Sequence, residues 1–225
     1  MSIAASFFNL FDKTTHFFQT TYDAFDVNEH AQDAKMSTLH IVCNDTECHS
    51  FNNYIVKGIK DITETRSTLL KDSDCDGVTF ISKNGHNGLI FAELKSRFST
   101  THITKAFSQM TFSFLKMHAM LSMCQGYSID TISLHFIAAC KCFENQDQED
   151  GVNNYLEKAK NSNPDTFESK FLRDLLTKHT IIIKLEELAE LWHLPLSQSL
   201  TAKELKLSLQ LTQNYNDTTS EYIDM

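Results

Sequence analysis

Residues 72–95 run DSDCDGVTFISKNGHNGLIFAELK. Two apolar or β-branched runs, Val78–Ile81 and Leu89–Lys95, flank Lys83-Asn84-Gly85-His86-Asn87-Gly88. Two Asn-Gly pairs between alternating strands are a strong hairpin signal, because tight hairpin turns need positive φ and Gly adopts it freely. Three of the six Gly of the chain (Gly77, Gly85 and Gly88) fall in this stretch. Residues two apart on a strand share a face, so Glu93 and Lys95 extend the stripe of Leu89 and Phe91. The hairpin sets the start of its first strand, at Asp76, beside the end of its second. Two carboxylates and an ammonium are expected at one end of a sheet.

Downstream, Ser99, Thr100 or Thr101 offers an N-cap for a helix. Ile103, Ala106, Phe107, Met110, Phe114, Met117 and Leu121 share one face of it, and Gly126 is expected to end it. Ile132–Cys140 (ISLHFIAAC) is almost continuously apolar, as a strand covered on both faces should be. The acidic stretch Asn145–Gly151 reads as a linker. Beyond it the pattern predicts a helix near Thr166–Leu176, a strand at Thr180–Leu185 and a helix near Glu186–Trp192, before Pro195. The last dozen residues are polar and read as frayed. Upstream, Asn44 or Asp45 reads as the N-cap of a helix running through Phe51, Tyr54, Ile55 and Ile59, with Glu47 closing a capping box. Gly58 and Asp61 weaken that helix. Ala4–Phe25 suggests one or two further helices. The implied division is an N-terminal helical segment at 1–43, a core at 44–144 and an extension at 152–225.

Composition narrows the function. A chain of 225 residues, 41% apolar with 17 Phe, has material for a sizeable core. Its 20 basic and 29 acidic residues leave a net charge of −9. Extended nucleic-acid binding through a broad basic surface is thereby disfavoured, while a local site is not. No apolar run reaches the about 20 residues of a membrane span, and the Phe-rich N-terminus lacks a cationic region ahead of it. Six scattered Cys without framework spacing suit reduced thiols, and the expected setting is the cytoplasm, away from membranes. Cys43-x4-Cys48-His49 and Cys140-x-Cys142 fit no common zinc spacing, so buried thiols are the favoured reading. No Gly-rich phosphate loop is present, which argues against an ATPase or a dinucleotide enzyme.

The chemistry lies in Asp76, Glu93 and Lys95. Close carboxylates repel, and a hard divalent cation relieves that repulsion while keeping several waters. Such an ion polarises a phosphoryl oxygen and acidifies bound water, and a nearby Lys can orient that water and offset developing charge. Asp76, sixteen intervening residues and Glu93-x-Lys95, set in a helix–strands–helix–strand order, resemble the PD-(D/E)XK (restriction-endonuclease-like) nuclease superfamily. The resemblance covers roughly residues 44–142. It implies an α/β fold with a mixed central sheet flanked by helices in αβββαβ order, with extra N-terminal helices and a C-terminal α/β extension.

It further implies a nuclease using Mg²⁺ or Mn²⁺, with Asp76 and Glu93 as metal ligands and Lys95 as the catalytic lysine. The backbone carbonyl of Leu94 would be an extra ligand. Glu47 is the candidate for the carboxylate that the superfamily often adds from a preceding helix. Gln109 is the polar residue expected on the helix after the Lys strand, and Lys105 shares its face. Cys75 stands where the superfamily often has Pro. Ser113, four residues after Gln109, stands where exonuclease-type branches have Tyr. The implied substrate is DNA, with RNA the alternative, and the implied setting is a nuclease effector or subunit of a prokaryotic restriction or anti-phage system.

Each assignment has a plainer rival. Glu93 and Lys95 can be a solvated ion pair at a strand end. Asp76 can be a turn aspartate, in competition with Asp72 and Asp74. Glu47 suits a capping box at least as well as a metal. Ser96, Arg97 and Lys105 suit phosphate contact and a solvated rim equally. With a net charge of −9, targeting is expected from a homo-oligomer or a partner protein, and the residues after Gly151 are the expected contact surface. A catalytically inactive scaffold subunit with the same fold is the alternative function.

Overall fold

The computed structural model describes residues 3–10, 18–29, 34–51, 74–141, 146–161, 167–212 and 218–222. Helix α1 (Ile3–Leu10) precedes strands β1 (Phe18–Asn28) and β2 (Thr38–Phe51). Strands β3 (Gly77–Lys83) and β4 (His86–Lys95) lead into the long helix α2 (Thr100–Leu121) and strand β5 (Ile132–Lys141). Helices α3 (Gln146–Asn161) and α4 (Phe167–Lys178) are followed by strand β6 (Thr180–Lys184) and helices α5 (Leu185–Leu191) and α6 (Gln198–Thr201). Strands β7 (Glu204–Thr212) and β8 (Thr218–Tyr222) end the order.

Seven strands make one mixed sheet in the order β1-β2-β3-β4-β5-β7-β6, and β8 pairs with β2. The first four are antiparallel neighbours, β4, β5 and β7 run parallel, and β6 returns antiparallel. The α/β class and the helix-flanked mixed sheet agree with the sequence reading. The β3–β4 turn also forms as predicted: Asn84 and Gly85 take φ of 50° and 84°, the double positive φ of a tight hairpin.

The two sheet faces are covered differently. On one, Phe91, Phe136 and Leu207 pack with Phe107 and Phe114 of α2 and with Leu175 of α4. Helix α1 docks there through Phe7, whose ring lies 5.5 Å from those of Phe51 and Phe80. Phe8 joins this cluster, its ring 5.8 Å from that of Phe51. The other face is covered by strands. Phe25 and Val27 of β1 and Leu39 and Ile41 of β2 lie over Ile90, Ala92, Leu94 and Ile137. The β1–β2 ribbon reaches this face by bending where its register shifts between Tyr22 and Ala24, with Asp23 and Asp45 at φ of 66° and 57°.

Four expectations are corrected. Residues 44–51 are strand rather than helix: Asn44 and Asp45 mark the bend in β2, and Glu47 caps nothing. The buried residues Leu39, Ile41 and Cys43 alternate along this strand, and cross-strand pairing outweighs the local capping signal. Tyr54, Ile55, Gly58, Ile59 and Asp61 lie outside the described residues. Ala4–Phe25 holds one short helix and then β1, whose Thr20, Thr21, Tyr22 and Phe25 favour extended backbone. The stretch read as a linker opens α3 at Gln146, where Asp147 and Glu149 in the first turn suit the helix dipole. The polar C-terminus contributes β8, paired in parallel with Thr38–Val42. A smaller difference is that α2 stops at Leu121, capped by Ser122, five residues before the Gly126 turn.

Candidate active site

Register delivers the first part of the site. Gly77 pairs with Ala92, so Asp76 falls at the open end of β3 beside Glu93. The Asp76 amide donates to Glu93 Oε2 at 3.1 Å, and the Leu94 amide donates to Asp76 Oδ2 at 2.7 Å. Amide and carbonyl of one strand residue face the same edge, so the Leu94 carbonyl faces this notch as well. Lys95 Nζ donates to Glu93 Oε1 and, at 2.7 Å, to Gln109 Oε1. The solvated-pair reading of Glu93 and Lys95 does not fit, since Glu93 is only 2% exposed and the Lys95 side chain 15%.

Helix α2 supplies the second part. Gln109, Ser113 and Lys116 form one polar stripe at helical spacing, and all three are buried. Gln109 Nε2 donates to the Asp74 carbonyl at 3.1 Å, and Ser113 Oγ accepts from the Cys75 amide at 2.9 Å. Lys116 Nζ pairs with Asp74 Oδ1, both side chains being almost wholly inaccessible. Three consecutive turns of helix thus hold Asp74 and Cys75, and thereby aim Asp76. Asp74 is committed to Lys116, and Asp72 lies outside the described residues.

The electrostatics follow from burial. Desolvation, then the neighbouring Glu93 charge, push the Asp76 carboxyl up to about 8. Glu93 is pushed up to about 7, again mainly by burial, with Lys95 opposing. The Glu29 carboxylate raises both. Glu29 follows β1, whose Val27 packs so close to Gly77 that a Cβ there would sit 2.7 Å from Val27 Cγ1.

The remaining predicted residues separate. Glu47 pairs with Ser82, five residues along β3 from Gly77, or about 17 Å from the notch at strand spacing. Its neighbour there is His49, 3.5 Å away. Ser96 accepts from the Lys35 amide at 2.9 Å, which ties the segment before β2 to the end of β4, and Lys141 Nζ bonds the Lys35 carbonyl. Arg97 and Lys105 are exposed at the same end of the sheet as Lys95. Sequence reading missed Lys116 and Glu29. The 109/113/116 spacing within an otherwise apolar helix was the available signal for Lys116. Glu29 had none, because only the folded-over ribbon brings it near.

Two buried carboxylates with elevated proton affinity and a facing backbone carbonyl make an oxygen donor set that suits Mg²⁺ or Mn²⁺, since a dication offsets the burial and the repulsion together. Among the described residues no group of three or more His, Cys, Asp and Glu side chains gathers as a ligand set. No helix among them is long and apolar enough to cross a membrane. No protein-family model, curated protein or solved structure matches the chain.

Proposed function

We propose that the protein is a metal-dependent nuclease that hydrolyses phosphodiester bonds, with DNA as the first substrate to test. The observation that carries this reading is the buried Asp76–Glu93 pair, with Lys95 held between Glu93 and Gln109. The succession β2, β3, β4, α2 and a β5 parallel to β4 supports a restriction-endonuclease-like core, although β2 stands at residues 44–51 where the resemblance calls for a helix.

Asp76, Glu93 and the Leu94 carbonyl would hold Mg²⁺ or Mn²⁺, which supplies polarisation of a phosphoryl oxygen and a more acidic water. Lys95 Nζ sits where it can orient the attacking water and offset negative charge as it builds on phosphorus. Gln109 is a positioning residue. Its carbonyl oxygen fixes the ammonium and its amide holds the Asp74 carbonyl, two residues before Asp76. Arg97 and Lys105 would meet the phosphate backbone beside the notch. The net charge of −9 leaves targeting to a partner or a second copy.

The test is incubation with plasmid, single-stranded DNA and RNA in Mg²⁺, Mn²⁺ or EDTA, with Mn²⁺ binding followed by calorimetry. Cleavage should require the metal, and Asp76→Ala and Glu93→Ala should each abolish it and weaken Mn²⁺ binding. Binding that neither variant weakens removes the site.

A further inference from the structure

The chain carries a net charge of −9, yet cations gather at the end of the sheet where the notch opens. A run of hydrogen bonds places them. Lys95 pairs in register with Cys140, so Lys141 ends β5 beside it. Strand alternation puts Ala139 and Lys141 on the face that the ribbon covers, whereas Glu93 and Lys95 point to the helix face. Segment 34–37 crosses on the ribbon side. Met36, only 1% exposed, anchors it in the core under the ribbon, and the Glu29 amide donates to the Ser37 carbonyl at 3.0 Å. The Lys35 amide donates to Ser96 Oγ and the Lys35 carbonyl accepts from Lys141 Nζ, both at 2.9 Å. This one residue thus bridges the ends of β4 and β5. On the helix side, His102 Nδ1 donates to the Arg97 carbonyl at 3.2 Å. Lys105 lies one turn further along α2, and Gln109 a turn beyond it.

The result is a rim around Lys95. Lys141, Lys35, Arg97 and Lys105 follow one another from the ribbon face to the helix face. Lys35, Arg97 and Lys105 are exposed and Lys141 is half-buried. Asp76 and Glu93 lie inside this rim, so a ligand that follows it meets cations before carboxylates. Charges spread over layers packed about 10 Å apart do not converge on one small anion. They suit a chain of phosphates. Lys35 lies outside residues 44–142, which carry the nuclease resemblance, so the resemblance does not imply its role.

We infer that Lys35 and Lys141 form the second half of a phosphate-binding rim, which leads the backbone of a polynucleotide from Lys105 and Arg97 past the notch to the ribbon side. Such contacts fix position and not sequence, because ammonium groups on phosphates read no base. The identity of the polyanion rests on the proposed nuclease chemistry, whereas the rim is measured without turnover.

Fluorescence anisotropy of labelled single-stranded and duplex DNA in EDTA, with the metal-dependent step switched off, reads the rim alone. Lys35→Gln is the sharp variant, because the amide and carbonyl that tether the segment remain and Tm should be unchanged. It should weaken binding about fivefold at about 0.1 M salt and lower the slope of log Kd against log salt by about 0.7 for the single strand or about 0.9 for the duplex, one phosphate contact in either case. The arm that responds identifies the form of nucleic acid the rim takes. Lys141→Gln should act alike but also loses its bond to the Lys35 carbonyl, and Lys141→Arg should restore binding. Lys83→Gln, at the far end of β3, should change neither value. No binding by the wild type at about 50 mM salt overturns the inference, as does binding that Lys35→Gln leaves intact, or a loss in Lys83→Gln as large as in Lys35→Gln. Metal-dependent cleavage that persists in such a case keeps the chemistry and removes the rim. Conversely, Mn²⁺ binding that survives both Asp76→Ala and Glu93→Ala removes the chemistry while the Lys35→Gln loss keeps the rim.

Discussion

Lys95 bonds both a metal-ligand candidate and a helix side chain, so its removal separates chemistry from architecture. Lys95→Ala should lower cleavage about 10²-fold or more while Mn²⁺ binding persists, the scale of one lost transition-state contact. Lys95→Arg should recover little, since a planar guanidinium does not fit an ammonium site between Glu93 and Gln109 and holds its proton near neutral pH. Full turnover by Lys95→Ala would end the mechanism. Asp76 makes a different prediction in metal-free protein. Its carboxyl titrates near 3.8 ordinarily and near 8 when buried here, so between those values the folded chain holds a proton that the unfolded chain releases. Its contribution to stability therefore declines as pH rises across that window. In EDTA, Asp76→Asn should raise Tm at pH 8.5 by about 3–6 °C and lose this advantage near pH 4. A gain independent of pH would contradict the assignment.

Helix α2 acts as the brace of the site. Its apolar face builds the core, and the adjoining 109/113/116 stripe grips the two residues ahead of Asp76. Lys116→Ala would leave the Asp74 carboxylate buried and unpaired, at a cost of about 3–5 kcal/mol in urea unfolding. Replacing both partners, Lys116→Met with Asp74→Asn, should recover much of that loss, because no uncompensated charge is left behind. A double variant no more stable than Lys116→Ala would mean that the pair is not the anchor. The hairpin needs no such brace. Its turn, register and the shared face of Glu93 and Lys95 follow from Asn84-Gly85 and period-two alternation, which is why that part of the site was legible before the fold was known.

Across the whole molecule, the β1–β2 ribbon closes the face that the helices leave open, and β8 extends it by pairing with β2. Deleting residues 213–225 removes one of the two strand partners of Thr38–Val42 and leaves β1. Tm should fall by roughly 4–10 °C, with amide exchange of residues 38–42 accelerating and that of β3 and β4 unchanged. Uniform exchange across the sheet would show that β8 contributes nothing local. Local signals along the chain were enough for the hairpin, the buried strand β5, the amphipathic α2 and the meeting of Asp76 with Glu93 and Lys95, because each depends on neighbours or on one tight turn. They misread residues 44–51 and the polar C-terminus, where strand identity depends on cross-strand partners in β1 and β3 or, for Thr218, on Thr38 far back in the chain. The burial that raises Asp76 and Glu93, the approach of Glu29 and the Lys116–Asp74 anchor arise only in the assembled fold. Desolvation and long-range pairing are properties of packed surroundings, and a linear pattern does not carry them.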